Sequence, residues 1–299
     1  MRRLVGITGS IGTALALLLA TPRPAFSATE VGVTPVHVIK TFNWSPPSPD
    51  PTGLTYNQSS GKLLVSDSEV DEIRRLWNGV NLFEAFRGGQ LARTAKLTRK
   101  THEPEDIAWD NAQKVLYVAD DDKDAVFKFD PGRDGKVGTR DDAATEALNT
   151  HRFRSHDPEG LGYDSADKSL LVADQRDAKI YHVRRGADHK FGTTDDRVSS
   201  FKTTAFGLTS PEDVEFDPAT NHLLIVSSTE HYIAETTVGG SLVLLINIAS
   251  ASIDNAAGIA LAPGTNNPGQ TNAYIADRGS DNKVHPREND GRIVEVDLP

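Results

Sequence analysis

The sequence predicts an all-β fold: a β-propeller of four-stranded blades, five by repeat count, closed by a strand from the N-terminal segment. Three observations predict it. First, a short motif recurs five times: Asp50-Pro51-Thr52-Gly53-Leu54, Glu103-Pro104-Glu105-Asp106-Ile107, Asp157-Pro158-Glu159-Gly160-Leu161, Ser210-Pro211-Glu212-Asp213-Val214 and Asn255-Ala256-Ala257-Gly258-Ile259. The copies start 53, 54, 53 and 45 residues apart, the spacing of a repeat architecture. Second, another landmark lies 16 residues beyond the Pro of the first four copies, at Asp67, Asp120, Asp174 and Ser227. In the fifth copy it is Asp277, displaced by an insertion at 263–270. Third, apolar runs follow the motif and more polar segments follow those, as radial blades require.

In chain order, residues 1–27 read as a signal peptide. Arg2 and Arg3 form a basic start, residues 4–20 are mostly apolar, and Ala25 and Ser27 supply small residues for cleavage after Ser27. Residues 28–49 are an N-terminal segment whose strand-like stretch, Val36 to Trp44, is expected to complete the last blade. Such a clasp removes both sheet edges. Residues 50–299 form the propeller domain. Copy two shows the blade pattern best: Ile107 to Trp109, then Val115 to Ala119, then alternating Ala125 to Phe129, then a polar outer strand near Glu146 to Phe153. A sixth, degenerate blade would have to come from residues 28–49, which are too few. Glu69 to Trp77 suggests a turn or two of helix. Leu76 to Phe83 reads as an apolar insertion, either over the tunnel mouth or packed beneath a loop.

The run Pro158-Glu159-Gly160-Leu161-Gly162-Tyr163-Asp164, followed by Leu170-Leu171-Val172-Ala173-Asp174, resembles the NHL and SMP-30 group of propellers over most of residues 50–299. It is also similar to SdiA-regulated and phytase-like extracytoplasmic propellers, which carry Asp-Pro-Glu-Gly at this place. These families include lactonases, phosphatases, lyases and binding modules, so the resemblance implies fold more than function. SMP-30-type enzymes hold a calcium ion at the tunnel mouth, and Glu105-Asp106 resembles the acidic pair of that site. Apart from Asn255, the family's Asn ligands have no obvious equivalents here. The Asp-Asp-Pro-Ala signature of propeller phytases is absent.

The net charge of −10 disfavours nucleic acid and anionic membranes and favours cations. There is no cysteine, so thiol catalysis and cysteine-based metal sites are excluded. A monomer is expected, free of the membrane after signal cleavage and secreted or periplasmic.

Entry to the first strand and exit from the second lie on one face of a propeller. That face gathers the motif carboxylates and the second-landmark aspartates. One reading is a calcium site, with Glu105, Asp106, Glu159 and Glu212 as ligands. The other is structural, with the carboxylates accepting loop N–H groups. Repetition favours the structural reading for most of them. Glu105, Glu159 and Glu212 stand apart, because Thr52 and Ala257 fill the other two copies. His102 and His156 are the candidate general bases. His182, His189, His222 and His285 read as surface residues. Residues 130–142 resemble an EF-hand loop, with Asp130, Asp134 and Asp141 as candidate ligands, or else form a plain hairpin between outer strands. Its counterpart, residues 188–196, keeps only the hairpin. No G-x-S-x-G, H-E-x-x-H or P-loop motif is present. Two functions remain: a calcium-binding module for a small-molecule or protein ligand at the mouth, or a calcium-dependent hydrolase of a small lactone, ester or phosphoester.

Overall fold

A computed structural model describes residues 29–280, 285 and 287–299; the expected signal peptide, residues 1–27, lies outside them. Two N-terminal strands, β1 (Glu30–Gly32) and β2 (Thr34–Ile39), precede the repeats. Blade one comprises β3 (Pro51–Asn57), β4 (Lys62–Asp67), β5 (Leu82–Phe86) and β6 (Leu91–Ala95). Blade two comprises β7 (Ile107–Asp110), β8 (Val115–Asp120), β9 (Ala125–Asp130) and β10 (Ala143–Asn149). Blade three is β11 (Pro158–Asp164), β12 (Ser169–Asp174), β13 (Lys179–Arg184) and β14 (Arg197–Lys202). Blade four is β15 (Pro211–Asp217), β16 (His222–Ser227), β17 (Tyr232–Thr237) and β18 (Leu242–Asn247). Blade five is β19 (Ala256–Pro263), β20 (Thr271–Asp277) and β21 (Arg292–Asp297), completed by β2. Five blades form the ring, with no sixth among the described residues.

The burial pattern explains the strand composition. Every residue of β12 is buried, whereas β14, the outermost strand of the same blade, is almost wholly exposed. The inner strands pack between blades. Ala108 and Tyr117 of blade two share one apolar cluster with Leu161, Tyr163, Leu170 and Val172 of blade three. Each such aliphatic side chain contributes roughly 1.5–3 kcal/mol when fully buried.

The clasp forms as expected, but shorter. β2 pairs antiparallel with β21, Thr34 opposite Asp297, and ends at Ile39. A 3-10 turn follows at Thr41–Asn43, because the buried Thr41 hydroxyl donates to the Ser48 carbonyl at 2.7 Å and bends the chain. Trp44 therefore leaves the strand, and its Nε1 donates to the Gly89 carbonyl at 2.9 Å. One pairing was not expected: β1 runs parallel to β18, Glu30 opposite Leu245, so the N-terminal segment stitches blade four to blade five.

Two local expectations change. Glu69 to Trp77 forms turns and no helix. Leu82 and Phe83 belong to β5 and are fully buried, so the supposed insertion is partly the third strand of blade one.

Candidate functional site: two carboxylate tiers at the tunnel mouth

Consecutive residues of extended chain point to opposite sides, and this separates Glu212 from Asp213 within β15 and Glu105 from Asp106 just ahead of β7. The aspartates form a lower tier on the ring axis. Asp106 accepts the N–H of Leu54 at 3.2 Å on one oxygen and of Leu161 at 2.6 Å on the other. It thereby bridges blades one and three. Asp213 accepts from Val214 and, at 2.6 Å, from Ile259 of blade five. The two carboxyl groups also hydrogen-bond to each other, which requires a proton on one of them. Burial, then the Asp213 charge, pushes Asp106 well above the usual carboxylate range. Burial raises Asp213 to about 6. Glycine fills this position in the other copies because nothing larger fits. A Cβ on Gly53 would lie 2.6 Å from the Asp106 Cα, and one on Gly160 2.5 Å from the Asp213 Cα. Asp106 is thus engaged by backbone N–H groups and does not line the cavity of Glu105.

The upper tier consists of Glu105, Glu159 and Glu212, with Thr52 and Ala257 at the equivalent positions and Arg278 beside them. Together they enclose a cavity of about 10 Å³, room for one water-sized occupant. Glu212 is held by donors: Gln175 Nε2 at 2.6 Å, with the Ser228 hydroxyl also bonded. Its pKa is raised by burial, against the pull of those donors. Glu105 and Glu159 face carboxylates instead. Burial, then the Glu159 charge, holds Glu105 well above its ordinary value. Burial, then Glu212, Asp121 and Asp157, does the same to Glu159. Arg278 is the compensating cation, with Nε 2.9 Å from Asp50 and Nη2 3.0 Å from Glu69. Burial alone would lower its pKa, but Asp50 and Glu105 more than offset that.

Arg278 and Asp121 were missed in the sequence, yet a signal for them existed. Each directly follows a second landmark, as do Ser68, Gln175 and Ser228 in the other blades. All five positions reach the glutamate tier. Asp121 is the hub. One oxygen each from Glu103, Glu105 and Asp121 lies within 4.8 Å of the others, and the same holds for Asp121, Asp157 and Glu159. Asp121 Oδ1 is buried without a hydrogen-bond partner. Burial, with the Asp122, Asp121 and Asp71 charges, raises Glu103 to about 7. Burial also raises Asp121 and Asp157. Five carboxylates offering only oxygen make a donor set suited to a hard dication.

The second-landmark aspartates hold loops. Asp67 accepts from Ser48 and the Asp50 N–H, Asp174 from the N–H groups of His156 and Asp177, and Asp277 from those of Asp254 and Asn255. Of the candidate bases, His102 is exposed, 3.7 Å from Asp71 and 6.2 Å from the Trp77 ring. His156 packs its ring 4.4 Å from that of His151. His182, expected at the surface, is buried against Ser169, Asp164 and Asp167. In the loop at 130–142, Asp134, Asp141 and Asp142 come together, without Asp130. Asp141 accepts the Arg133 N–H at 2.8 Å, and Asp142 that of Gly138 at 2.6 Å. The loop at 188–196 repeats this lock through Asp195 and Asp196, so it is a hairpin device common to both.

The opposite face carries a larger depression, about 690 Å³, lined by Trp109, Tyr163, Glu215 and Phe216 among others. Burial, then Asp213, raises Glu215 to about 8. The convergent charges nevertheless lie at the mouth.

Among solved structures, the fold is similar to glutaminyl cyclase of Myxococcus xanthus, at 12% identity and a TM-score of 0.54, covering 90% of this chain and 97% of that one. It is similar also to a calcium-binding protein, regucalcin, of Agrobacterium tumefaciens (12% identity, TM-score 0.50, 91% and 97% covered). A third is the aldose sugar dehydrogenase of Streptomyces coelicolor in its PQQ-bound form (11%, 0.51, 89% and 97%). These likenesses concern the fold. No curated protein sequence matches the chain. The family model described as SdiA-regulated matches residues 47–277, and with its signature residues now located on the blades, the chain belongs to the SdiA-regulated family of β-propellers.

Proposed function

We propose that this protein is an extracytoplasmic binding module that takes up a calcium ion at the acidic mouth and holds a small-molecule or protein ligand there. The observation that carries the reading is Asp121. It is shared by two carboxylate triads, and one of its buried oxygens has no hydrogen-bond partner. Arg278 supplies only one positive charge against Glu103, Glu105, Asp121, Asp157 and Glu159, so a dication is the simplest way to balance the remainder. Glu105 and Glu159 serve both the triads and the inner cavity, which couples ion binding to the tunnel. Secretion rests on the reading of residues 1–27 as a signal peptide. A hydrolase remains the second reading, favoured by His102 beside Asp71 near this acidic cluster. Calorimetric titration with Ca²⁺ tests the first reading. One ion is expected per chain, lost in Asp121→Asn, and an absence of Ca²⁺ binding by the wild type sinks the proposal. A screen of lactones, aryl esters and phosphoesters separates the two readings, since turnover abolished by His102→Ala favours the hydrolase.

A further inference from the structure

A second donor cluster lies on the rim of blade two, and its chemistry differs from that of the mouth. Asp124, in the turn between β8 and β9, brings Oδ2 to 2.7 Å from His151 Nε2. The His156 ring lies 4.4 Å from that of His151. One ligand atom from each of the three residues lies within 4.8 Å of the others. Asp124 Oδ1 is buried without a partner.

The loop that assembles this trio is a repeated scaffold. The Thr150 N–H donates to the Asp124 carbonyl at 2.8 Å, and a 3-10 turn over Thr150–Phe153 then carries His151. Blade three makes the same closure from Thr203 to Ala178 at 2.9 Å, and blade four from Ile248 to His231 at 3.0 Å. Asp124, Ala178 and His231 share the left-handed backbone, with φ of 47°, 48° and 53°. In blade three, Thr204 and Thr209 stand where blade two has His151 and His156. Ala178, Thr204 and Thr209 therefore build the loop equally well. The carboxylate and the two imidazoles of blade two are not required by the backbone, and the loop brings all three to one point.

We propose that Asp124, His151 and His156 form a binding site for a zinc-class transition-metal dication, distinct from the carboxylates at the mouth. Two imidazoles and a carboxylate suit zinc, copper(II) or nickel and suit calcium poorly. With metal–ligand distances of about 2.0–2.2 Å, the donors need to approach to about 3.3 Å of one another, a small adjustment for two exposed histidines. Binding replaces the direct contact between His151 and Asp124 with metal–ligand bonds. Three protein ligands leave a fourth position for water or an outside donor.

The test is titration of the full chain with Zn²⁺ in saturating Ca²⁺, beside the variant Asp124→Ala/His151→Thr/His156→Thr, which copies blade three. His156→Thr alone is measured alongside, because it alters one exposed ring. We expect one Zn²⁺ per chain and a weakening of more than about 100-fold in the triple variant, since even outer-shell changes reach that size. Ca²⁺ binding should be unchanged. Co²⁺ should give visible d–d bands with the wild type and none with the triple variant. Absence of Zn²⁺ binding below millimolar concentration overturns the proposal. So does equal affinity in the variants, or loss of zinc only on Glu105→Gln/Glu159→Gln.

Discussion

Glu105 and Asp106 are neighbours in the chain, as are Glu212 and Asp213, yet within each pair one carboxyl faces the mouth and the other the axis. The aspartates accept backbone N–H groups from blades one, three and five and share a proton. Glu105 and Glu159 instead face other carboxylates, with Arg278 as partial compensation. A carboxyl surrounded by amides holds the ring together, whereas one surrounded by like charges is held in place by the ring. The first kind should be expensive to remove and the second should not.

Asp106→Ala should have the largest effect. It leaves the N–H groups of Leu54 and Leu161 buried and unpaired, at a cost of about 3 kcal/mol or more. The melting temperature should fall by roughly 5–10 °C; a fall of under 2 °C would show that water replaces the carboxylate at the axis. Glu105→Gln/Glu159→Gln should act in the opposite sense on the calcium-free protein. Its melting temperature in EDTA should stay level or rise, while Ca²⁺ affinity drops by about 100-fold, or 2.7 kcal/mol. Equal destabilisation by both variants would erase the distinction between the tiers.

The pH dependence follows from the raised carboxyls. Glu103 at about 7, Asp213 at about 6 and Glu215 at about 8 bind protons in the folded chain that the unfolded chain has already released. Stability in EDTA should therefore fall as pH rises from 5 to 8. Saturating Ca²⁺ should remove the Glu103 share, because a bound cation holds that group ionised. Urea denaturation at pH 5, 6, 7 and 8 reads this, and stability that rises with pH in EDTA contradicts it. The smallest effect belongs to Asp134→Asn in the outer hairpin. It should cost under about 1 kcal/mol and leave the Ca²⁺ titration untouched; loss of calcium there would move the ion from mouth to periphery.

The propeller was readable because its signature recurs with a second landmark at fixed distance, and both mark backbone geometry common to every blade. The upper tier was readable for the same reason, as three glutamates against Thr52 and Ala257. Arg278 and Asp121 were missed because they differ in kind at equivalent positions, so repetition did not expose them; only their place after the second landmark did. The EF-hand likeness at 130–142 left two readings open because acidic spacing serves a hairpin equally well when loop N–H groups lie nearby. His182 was placed outside because one polar residue in an alternating strand reads as the wet face. There the pocket formed by Ser169, Asp164 and Asp167 makes it an inner residue, and burial lowers its pKa.

The stitch at the N-terminus bears on the order of assembly. Thr34 pairs with Asp297, so β2, made before any of the repeats, waits unpaired until β21 of the fifth blade has been made. A chain halted before Arg292 carries an open arc with two raw edges, each ready to pair with another molecule. Pairing of β2 with β21 hides both, which makes ring closure a check that all five blades are in place.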